Sequence, residues 1–398
     1  MISFQEAQQA VCQHAHTVGK ERIPIRKAFG SVLANNIVAP VDLPPFHQSA
    51  MDGYAVRYND VRNDVPVRVI GESVAGKSFN GKVAKGDAVR IFTGAEVPQG
   101  ADTVIMQEHV DVNAGVLSIG SDAIQQGANI RSKASHIAKK SLAVRKGTRI
   151  TESVAGFIGS MGVSHVDVFR KPAVTIIVTG SELQQPGTTL QPGKIFESNS
   201  LALQGALRAC GVDTCTVLRV KDNIAATRRA VQKALESADI VLCTGGISVG
   251  DYDYVGTALQ QERVRKVFYK VKQKPGKPLF FGVKGKKLVF GLPGNPASVL
   301  TCFYEYVYPA LRISMGHDVP FLPIMQLPLV TPYSKKSGLT HFTKAVTDFT
   351  SVSILGGQES YIMRSYAQAN CLAVIPEGTE HMQNGDIVTV HLLPTSFM

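Results

Sequence analysis

The first residues of the chain alternate apolar and polar side chains with a helical period. Ser3 followed by Glu6 matches a capping box, and apolar residues then recur every three to four positions. This pattern predicts an amphipathic helix at the start of the chain. A second helical pattern covers residues 151–166, and we expect it to pack beside the first helix, so that the residues between them form an insertion.

The segment between the two helical patterns has a different period. From about residue 40 to 144 the chain shows short alternating runs such as VPVRVI and DAVRIFTG, separated by Gly, Asn and Pro. This pattern is typical of strands joined by turns. We predict a separate, mainly β domain here.

Continuous apolar runs alternate with helical patterns after residue 171. The runs VTIIVTG, TCTVLRV and DIVLCTGG are separated by helical stretches at 200–210 and 224–237, as expected for strands buried on both faces of a parallel sheet. This predicts a doubly wound α/β domain, followed by a small β domain. The predicted division is a helical and linker domain (1–40 plus 145–170), an inserted β domain (41–144), an α/β domain (171–317) and a C-terminal β domain (318–398).

Composition supports a folded, multi-domain protein. The chain has 398 residues, of which 44% are hydrophobic and 18% are charged. It has no run of about 18 apolar residues and no signal-like N-terminus, so we expect a cytoplasmic protein that does not contact a membrane. Its six cysteines form no CxxC pair, which argues against a zinc site or a disulfide framework.

The chain is basic, with 42 Lys plus Arg against 31 Asp plus Glu and a formal charge of +11. The basic residues are dispersed and form neither a polybasic tail nor a stripe interleaved with aromatic residues. A small anionic ligand therefore fits better than nucleic acid, whose binding would weaken steeply with salt.

Loops that follow the predicted parallel strands carry chemically useful residues, because ligands of open α/β sheets bind at the carboxyl ends of the strands. Gly245, Gly246 and Gly250 allow the main chain to approach phosphate oxygens or a flat ring. Asn295 followed by Pro296 predicts a helix start whose N-terminus favours anions.

Lysines and carboxylates fall in the same set of loops. Lys270, Lys272 and Lys274 are spaced by two, which on a strand places them on one face, and Lys277 follows a Pro-Gly turn. They predict a pocket that binds an anion, although a solvated edge strand would show the same pattern. The carboxylates Glu182, Asp222 and Asp253 could hold a divalent cation or be ordinary turn residues.

One motif favours a competing enzyme class. Residues 71–78 match the GxxxxGK[ST] pattern of nucleoside triphosphatases. A phosphate loop must open a helix at its lysine, but here an Asn-Gly turn and a strand pattern follow. A triphosphatase would also need ATP turnover that Lys77→Ala abolishes, and we expect none.

Six segments together resemble one protein family. They closely resemble the bacterial molybdopterin molybdenumtransferase family, also seen in the C-terminal domain of gephyrin, and they occur in that family's order. These segments are PPFHQSAMDGYAV (44–56), IFTGA (91–95), VTGSEL (178–183), TGGISVGDYDY (244–254), KPGKP (274–278) and GLPGNPAS (291–298).

The resemblance implies an elongated four-domain subunit with a C-terminal small β-barrel domain and an α/β third domain that binds molybdopterin. It also implies a homodimer in which the partner's β domain completes the cleft. The implied reaction converts adenylylated molybdopterin and molybdate into molybdenum cofactor and AMP, with Mg²⁺ assisting cleavage of the phosphoanhydride. The protein could also contact the molybdopterin adenylyltransferase and molybdoenzyme acceptors.

The resemblance further implies roles for individual residues. The carboxylates that would act in catalysis are Asp52, Glu182, Asp222 and Asp253, of which Asp222 and Asp253 would bind the metal. Substrate-binding roles would fall on Thr93, Arg131, Gly245, Gly246, Ser248, Gly250, Lys270, Lys274, Lys277, Pro293, Asn295, Pro296, Lys344 and Ser360.

Three segments depart from the family pattern. His47-Gln48 replaces an Asp-Asn pair, His136 stands where a carboxylate is usual, and Lys344 is a monodentate replacement for a region that often carries arginines. The alternative interpretation is therefore a catalytically weak paralogue that acts as a cofactor-binding or scaffold protein. The retained carboxylates favour the enzyme.

Overall fold

The computed structural model describes residues 1–120, 124–246 and 254–394. No helix within these ranges is both long enough and apolar enough to span a bilayer. The α-helices are Phe4–His14, Tyr58–Arg62, Glu152–Ser160, Asn199–Ala209, Ile224–Ser237, Tyr254–Gln261, Pro296–Cys302, Tyr308–Ser314 and Arg364–Gln368, with a π-helical turn at Phe303–Val307 and 3-10 turns at Ile25–Lys27 and Gln107–His109.

The first helix begins with the predicted capping box. The main-chain nitrogen of Glu6 donates to Ser3 Oγ at 3.2 Å, and the main-chain nitrogen of Ser3 donates to Glu6 Oε2 at 2.7 Å. These bonds satisfy two donors that the helix end leaves free. The helix therefore starts where its sequence predicts.

The prediction that this helix packs beside Glu152–Ser160 is wrong. Phe4 lies in the apolar core of the α/β domain, with its ring 6.1 Å from that of Tyr306, whereas Ile158 belongs to a separate core of the N-terminal unit. The larger apolar surface of the α/β domain covers the helix stripe more completely than a nine-residue helix could.

Two antiparallel pairs return the chain to the N-terminal unit. Lys20–Pro24 pairs with His165–Phe169, and Ile37–Val38 pairs with Leu142–Val144. The segment between these pairs leaves the unit and comes back to it. Its main sheet has the strand order Thr103–Met106, Gly53–Val56, Asp87–Ile91, Val67–Ser73, Val116–Ile119 and Val110–Asn113.

The segment that matches a phosphate loop is a tight turn. Val74 and Lys77 exchange main-chain hydrogen bonds of 3.1 and 2.9 Å, and Gly76 has φ +83° between them. The chain reverses at this point and opens no helix. The structure thus supports the rejection of the triphosphatase motif.

A six-stranded sheet forms the centre of the α/β domain. Helices Asn199–Ala209 and Pro296–Cys302 cover one face, and Ile224–Ser237 and Tyr254–Gln261 cover the other. The sheet is not entirely parallel, because Phe280–Lys284 runs antiparallel to both neighbours. The strand order is Thr216–Val220, Val174–Thr179, Ile240–Thr244, Lys287–Leu292, Phe280–Lys284 and Arg265–Tyr269.

The C-terminal domain is built on a mostly antiparallel sheet. Its order is Gln273–Lys274, Thr340–Thr347, Cys371–Ile375, Ile387–Leu392 and Ile324–Pro328, with Val352–Ile354 beside Thr340–Thr347. The two residues Gln273–Lys274 come from the α/β domain, so this strand joins the two domains. Smaller pairs are Tyr333–Ser334 with His381–Met382, Leu183–Gln184 with Ile195–Phe196, and Gln48–Ser49 with Ile130–Arg131.

Candidate functional site

Two neighbouring loops at the carboxyl edge of the α/β sheet are tied together by a reciprocal pair of hydrogen bonds. The main-chain nitrogen of Ser181 donates to Asp222 Oδ2 at 2.6 Å, and that of Asp222 donates to Ser181 Oγ at 3.3 Å. Lys194 Nζ donates to the Ser181 carbonyl at 2.5 Å. Asp222 is thereby fixed in direction, and Glu182 lies in the same loop as Ser181.

Gly245 and Gly246 follow the next strand, where the main chain is crowded. Gly245 has φ +81°, and a Cβ atom there would lie 2.5 Å from the Thr179 carbonyl oxygen. Gly246 also has a positive φ, +60°. Only glycine fits such a turn without strain. The buried Thr244 hydroxyl beside them has no hydrogen-bond partner within the described ranges.

Three predicted site residues, Ser248, Gly250 and Asp253, lie outside the described residues. Across the residues that are described, no three His, Cys, Asp or Glu side chains form a group that could hold a metal ion. Of the two carboxylates predicted to bind the metal, Asp222 is the one with a described environment.

The prediction that three lysines share one strand face is wrong. The strand ends at Tyr269, and Lys270 has φ +65°, so the chain turns there. Lys270 Nζ lies 5.3 Å from the centre of the Tyr269 ring, while Lys272 Nζ pairs with Glu377 Oε1 at 3.0 Å. Lys274 belongs to another sheet. Spacing alone could not show the turn that separates these side chains.

The loop of Lys274 and Lys277 is fixed by hydrogen bonds from Gln273, which is fully buried. Gln273 Nε2 donates to the carbonyl oxygens of Pro275 at 3.0 Å and Gly276 at 3.4 Å, and the Tyr306 hydroxyl donates to Gln273 Oε1. Sequence reasoning missed both Gln273 and Tyr306. A glutamine between two lysines offered no sign that it would point inward.

Both lysines of this loop face solvent. Among the described residues, no carboxylate pairs with the ammonium of Lys274 or Lys277. Lys274 lies beside His341 in the sheet register, and burial, followed by the positive charges of Lys274 and Lys335, lowers the pKa of His341 to about 4. His341 is therefore neutral at pH 7, and the positive charge of this loop comes from Lys274 and Lys277.

Asn295 and Ser360, which come from different domains, meet at the start of helix Pro296–Cys302. Asn295 is at the predicted N-cap position and Pro296 is the first helical residue, but the Asn295 side chain makes no bond to the helix. Its Nδ2 instead donates to Ser360 Oγ at 2.7 Å. Pro293 is buried in the turn before them. The two predicted substrate-binding residues Asn295 and Ser360 thus lie in direct contact.

Lys344 has a different environment from the one that an oxyanion contact requires. It is 1% exposed, and its ammonium donates to the carbonyl oxygens of Gly357 at 2.6 Å, Ile362 at 3.1 Å and Glu359 at 3.3 Å. Burial lowers its pKa. Because all three donors are used, the side chain fixes the loop that carries Ser360 and offers no free donor to a ligand.

Asp52 and Thr93 form a second centre in the inserted domain. Asp52 Oδ1 accepts from the main-chain nitrogen and the hydroxyl of Thr93, at 2.7 and 2.8 Å. These two bonds, with a smaller effect of the Arg90 charge, hold the pKa of Asp52 below its usual range. Arg131 is exposed, and its main chain lies opposite Gln48 in the antiparallel pair of Ile130–Arg131 with Gln48–Ser49.

The histidines that replace usual family residues have structural partners. The His136 ring stacks on Phe157 with centroids 5.1 Å apart, and His47 Nδ1 accepts from the Lys133 main-chain nitrogen at 3.3 Å. Neither side chain replaces the negative charge of a carboxylate.

The two centres are not joined within one chain. Over the described ranges, no hydrogen bond or ion pair links Asp52, Thr93 or Arg131 to the carboxyl edge of the α/β sheet. The described contacts therefore place Asp52 with Thr93, and Asp222 with Ser181, without joining the two pairs.

Fold and site together define a multi-domain enzyme with a polar, lysine-bearing edge on an α/β sheet. Three family models match consecutive parts of the chain. Residues 2–162 match the MoeA N-terminal region (domain I and II), residues 175–313 a probable molybdopterin binding domain, and residues 326–393 the MoeA C-terminal region (domain IV).

Curated proteins match along nearly the full length. The chain is 32% identical to molybdopterin molybdenumtransferases of Staphylococcus epidermidis, over 98% of this chain and 95% of that protein, and of Haemophilus influenzae, over 94% and 95%. Molybdopterin molybdenumtransferase 2 of Mycobacterium tuberculosis is also 32% identical, over 97% and 98%. The chain therefore belongs to the molybdopterin molybdenumtransferase family, which acts in molybdenum cofactor biosynthesis.

A solved structure matches the whole fold. A molybdopterin biosynthesis MoeA protein from Pyrococcus horikosii superposes with a TM-score of 0.86 at 30% identity, covering 99% of each chain. A molybdenum cofactor biosynthesis protein from Pyrococcus furiosus superposes with a TM-score of 0.61 at 20% identity, covering 98% of this chain and 99% of that one, and supports the fold alone. The predicted fold class is confirmed.

Proposed function

We propose that this protein inserts molybdate into adenylylated molybdopterin, with release of AMP, in the cytoplasm. The observation that carries the proposal is the arrangement along one sheet edge of a fixed carboxylate loop, Ser181 with Asp222, and two exposed ammoniums, Lys274 and Lys277. The edge belongs to a chain that matches enzymes named molybdopterin molybdenumtransferase over nearly their whole length.

The lysine loop has the chemistry that molybdate requires. Molybdate is a tetrahedral dianion, so ammoniums and hydroxyl donors bind it well. Lys274 and Lys277 supply the charge. Ser360 Oγ accepts from Asn295, which leaves the hydroxyl hydrogen free to donate to an oxyanion.

Mg²⁺ suits the carboxylate loop. It is usually bound through one or two carboxylates together with waters and substrate phosphates. Asp222, whose Oδ2 is directed by Ser181, would hold it with Asp253. When bound, Mg²⁺ would neutralise charge on the phosphoanhydride. Cleavage of that bond depends mainly on positioning and charge, so the edge needs no Ser or Cys nucleophile.

A homodimer would join the two separate centres. Asp52 and Thr93 make no described hydrogen bond to the sheet edge of their own chain, and in a dimer a partner subunit would bring them to it. Around the start of helix Asn199–Ala209 the subunit exposes Leu201 (68%), Ile195 (56%) and Phe196 (43%), an apolar surface that a second copy would cover. Contacts with the adenylyltransferase and with molybdoenzyme acceptors are further expectations.

Release of AMP tests the activity. Purified protein, adenylylated molybdopterin and Mg²⁺ are incubated with and without molybdate, and the product is assayed by reconstitution of an apo-molybdoenzyme. Molybdate-dependent AMP release with active cofactor supports the transferase. Lys277→Gln should lose most of this activity, whereas Lys286→Gln, which also removes an exposed charge but from a hairpin at the other edge of the sheet, should keep it. Tight pterin binding without AMP release would favour the scaffold function.

Mixed dimers test whether two subunits form one site. Asp52→Asn and Lys277→Gln should each lose most of the activity alone. After dissociation and random reassociation, half of the dimers carry one intact site of two, so about a quarter of the wild-type activity should return. Failure to recover any activity, with mixed dimers demonstrated by native mass spectrometry, would refute a site shared between subunits.

A further inference from the structure

A cavity lies at the edge of the α/β sheet opposite the candidate active site. Its volume is about 520 Å³, within the range of small-molecule sites. Residues 208–211, at the end of helix Asn199–Ala209, line it, and so do residues 169 and 171, which precede the strand Val174–Thr179. Because both segments lead into the amino ends of strands, the cavity is separate from the candidate active site.

The walls of this cavity carry positive charge and no carboxylate. Arg149, Arg208, Arg312 and Lys171 line it. Lys171 pairs with the exposed Asp213 at 3.1 Å, whereas the three guanidiniums form no ion pair within the part of the chain that is described. Like charges brought together without a counter-ion repel, so an anion would stabilise this arrangement.

Arg312 is the most constrained of these cations. Its Nη1 faces His317 Nε2 at 3.3 Å, and its Nη2 donates to the Val319 carbonyl at 3.3 Å. Its Nε is buried and has no hydrogen-bond partner in the described ranges. A buried donor without a partner costs free energy, which a bound acceptor or water would recover.

The pKa of His317 reflects the positive charge of the neighbouring arginines. Burial, followed by the positive charges of Arg312 and Arg149, lowers the pKa of His317 to about 4. Asp318 is adjacent in sequence, but its carboxylate points to Gly147, where a Cβ atom would lie 3.3 Å from Asp318 Oδ2. The imidazole is therefore neutral at pH 7 and can accept from Arg312.

Aromatic side chains form part of the wall. Phe29 is 58% exposed at the cavity, Phe169 and Tyr308 also line it, and the Arg312 guanidinium lies 5.9 Å from the centre of the Tyr308 ring. Guanidiniums match phosphate oxygens, and aromatic faces bind flat rings. We propose that this cavity is a second ligand site, which takes a phosphate ester that carries a flat ring, such as a nucleoside monophosphate.

The absence of tryptophan from the chain allows a local test. Phe29→Trp places a single indole at the cavity, and its fluorescence is titrated with AMP, ribose 5-phosphate, inorganic phosphate and adenosine. AMP should give a saturable change and bind most tightly. Arg312→Gln in this background should weaken AMP binding about tenfold or more, because it removes a charge-assisted bond. Arg149→Gln, at an exposed position that is expected to fold normally, should also weaken it.

Controls separate this site from the transferase site. Arg145→Gln removes an exposed arginine that does not line the cavity, and it should leave the AMP affinity unchanged. Calorimetric titration of AMP into the Lys277→Gln variant, which keeps Phe29, measures the affinity of the cavity when the lysine loop is impaired. Equal affinity for inorganic phosphate and AMP would overturn the ring assignment. No signal from any probe, or equal losses in Arg145→Gln and Arg149→Gln, would overturn the site, whatever the transferase assay shows.

Discussion

Gly276 shows how closely the lysine loop is packed. It has φ +88°, and a Cβ atom there would lie 2.5 Å from Cys302 Sγ and 2.8 Å from Gln273 Nε2. A side chain at this position would therefore displace Gln273, which holds the loop through the Pro275 carbonyl. The positions of Lys274 and Lys277 therefore depend on the packing at Gly276.

Gly276→Ala should therefore lower both activity and stability. Gly285 provides a matched control, because it also has a positive φ, +58°, but a Cβ atom there would meet no other atom within 4 Å. Both variants carry the left-handed backbone penalty, but Gly276→Ala adds a clash worth about 1–3 kcal/mol. We expect a lower denaturation midpoint and a lower kcat than for Gly285→Ala. Equal behaviour of the two variants would contradict the packing argument.

At the scale of single residues, the sequence predicted the positions of some site residues but not the roles of others. The exposed Lys274 and Lys277 and the Asn295-Pro296 helix start follow from local motifs, so their positions could be predicted. The roles of Gln273 and Lys344 could not, because they depend on which carbonyl groups the fold places around a buried side chain. A polar residue that points inward has the same local pattern as one that points outward.

A buried ion pair joins the π-helical turn Phe303–Val307 to the C-terminal strand Ile387–Leu392. His391 Nδ1 lies 2.9 Å from Glu305 Oε1, and both side chains are almost fully buried. Burial alone would lower the pKa of His391, but the charge and hydrogen bond of Glu305 outweigh it and raise that pKa above 6.5. The pair therefore links the two domains most strongly when His391 is charged.

The stability contributed by this pair should depend on pH. Because the folded-state pKa of His391 is raised, its contribution is fully present below pH 6.5 and is lost as the pH rises through the folded-state pKa. His391→Gln should cost about 3–5 kcal/mol at low pH and less at high pH. Denaturation midpoints measured from about pH 6 to 9 check this. His381→Gln, which removes an exposed imidazole that forms no ion pair in the described ranges, is the matched control; a constant difference for His391→Gln would exclude the titration.

Elements with a strong pattern were predicted well, and their partners were not. The helix Ile224–Ser237 has the bounds that its period predicts, because capping by Asn223 and an apolar stripe are local properties. The strand that was expected to carry Lys270, Lys272 and Lys274 ends early because of a left-handed turn and because Gln273–Lys274 pairs with Thr340–His341. That pairing spans more than sixty positions, beyond the reach of a local pattern.

For the whole molecule, the distribution of apolar cores divides the chain differently from its domains. One core unites the first helix, the α/β sheet and the C-terminal residues Phe342, Leu372 and Val374. The inserted domain has cores of its own, which include Leu117 and Val104. Segments that share a core unfold together, whereas separate cores allow separate unfolding.

Calorimetry should accordingly show at least two transitions that respond to different substitutions. Leu117→Ala removes about 2–5 kcal/mol from the inserted domain and should lower only the transition of that domain. Phe342→Ala, at a residue 1% exposed, should lower the transition of the shared core, including the α/β sheet in another domain. If both variants shifted one transition equally, the inserted domain would be coupled to the rest through contacts between subunits, because the separate cores of one chain provide no such coupling.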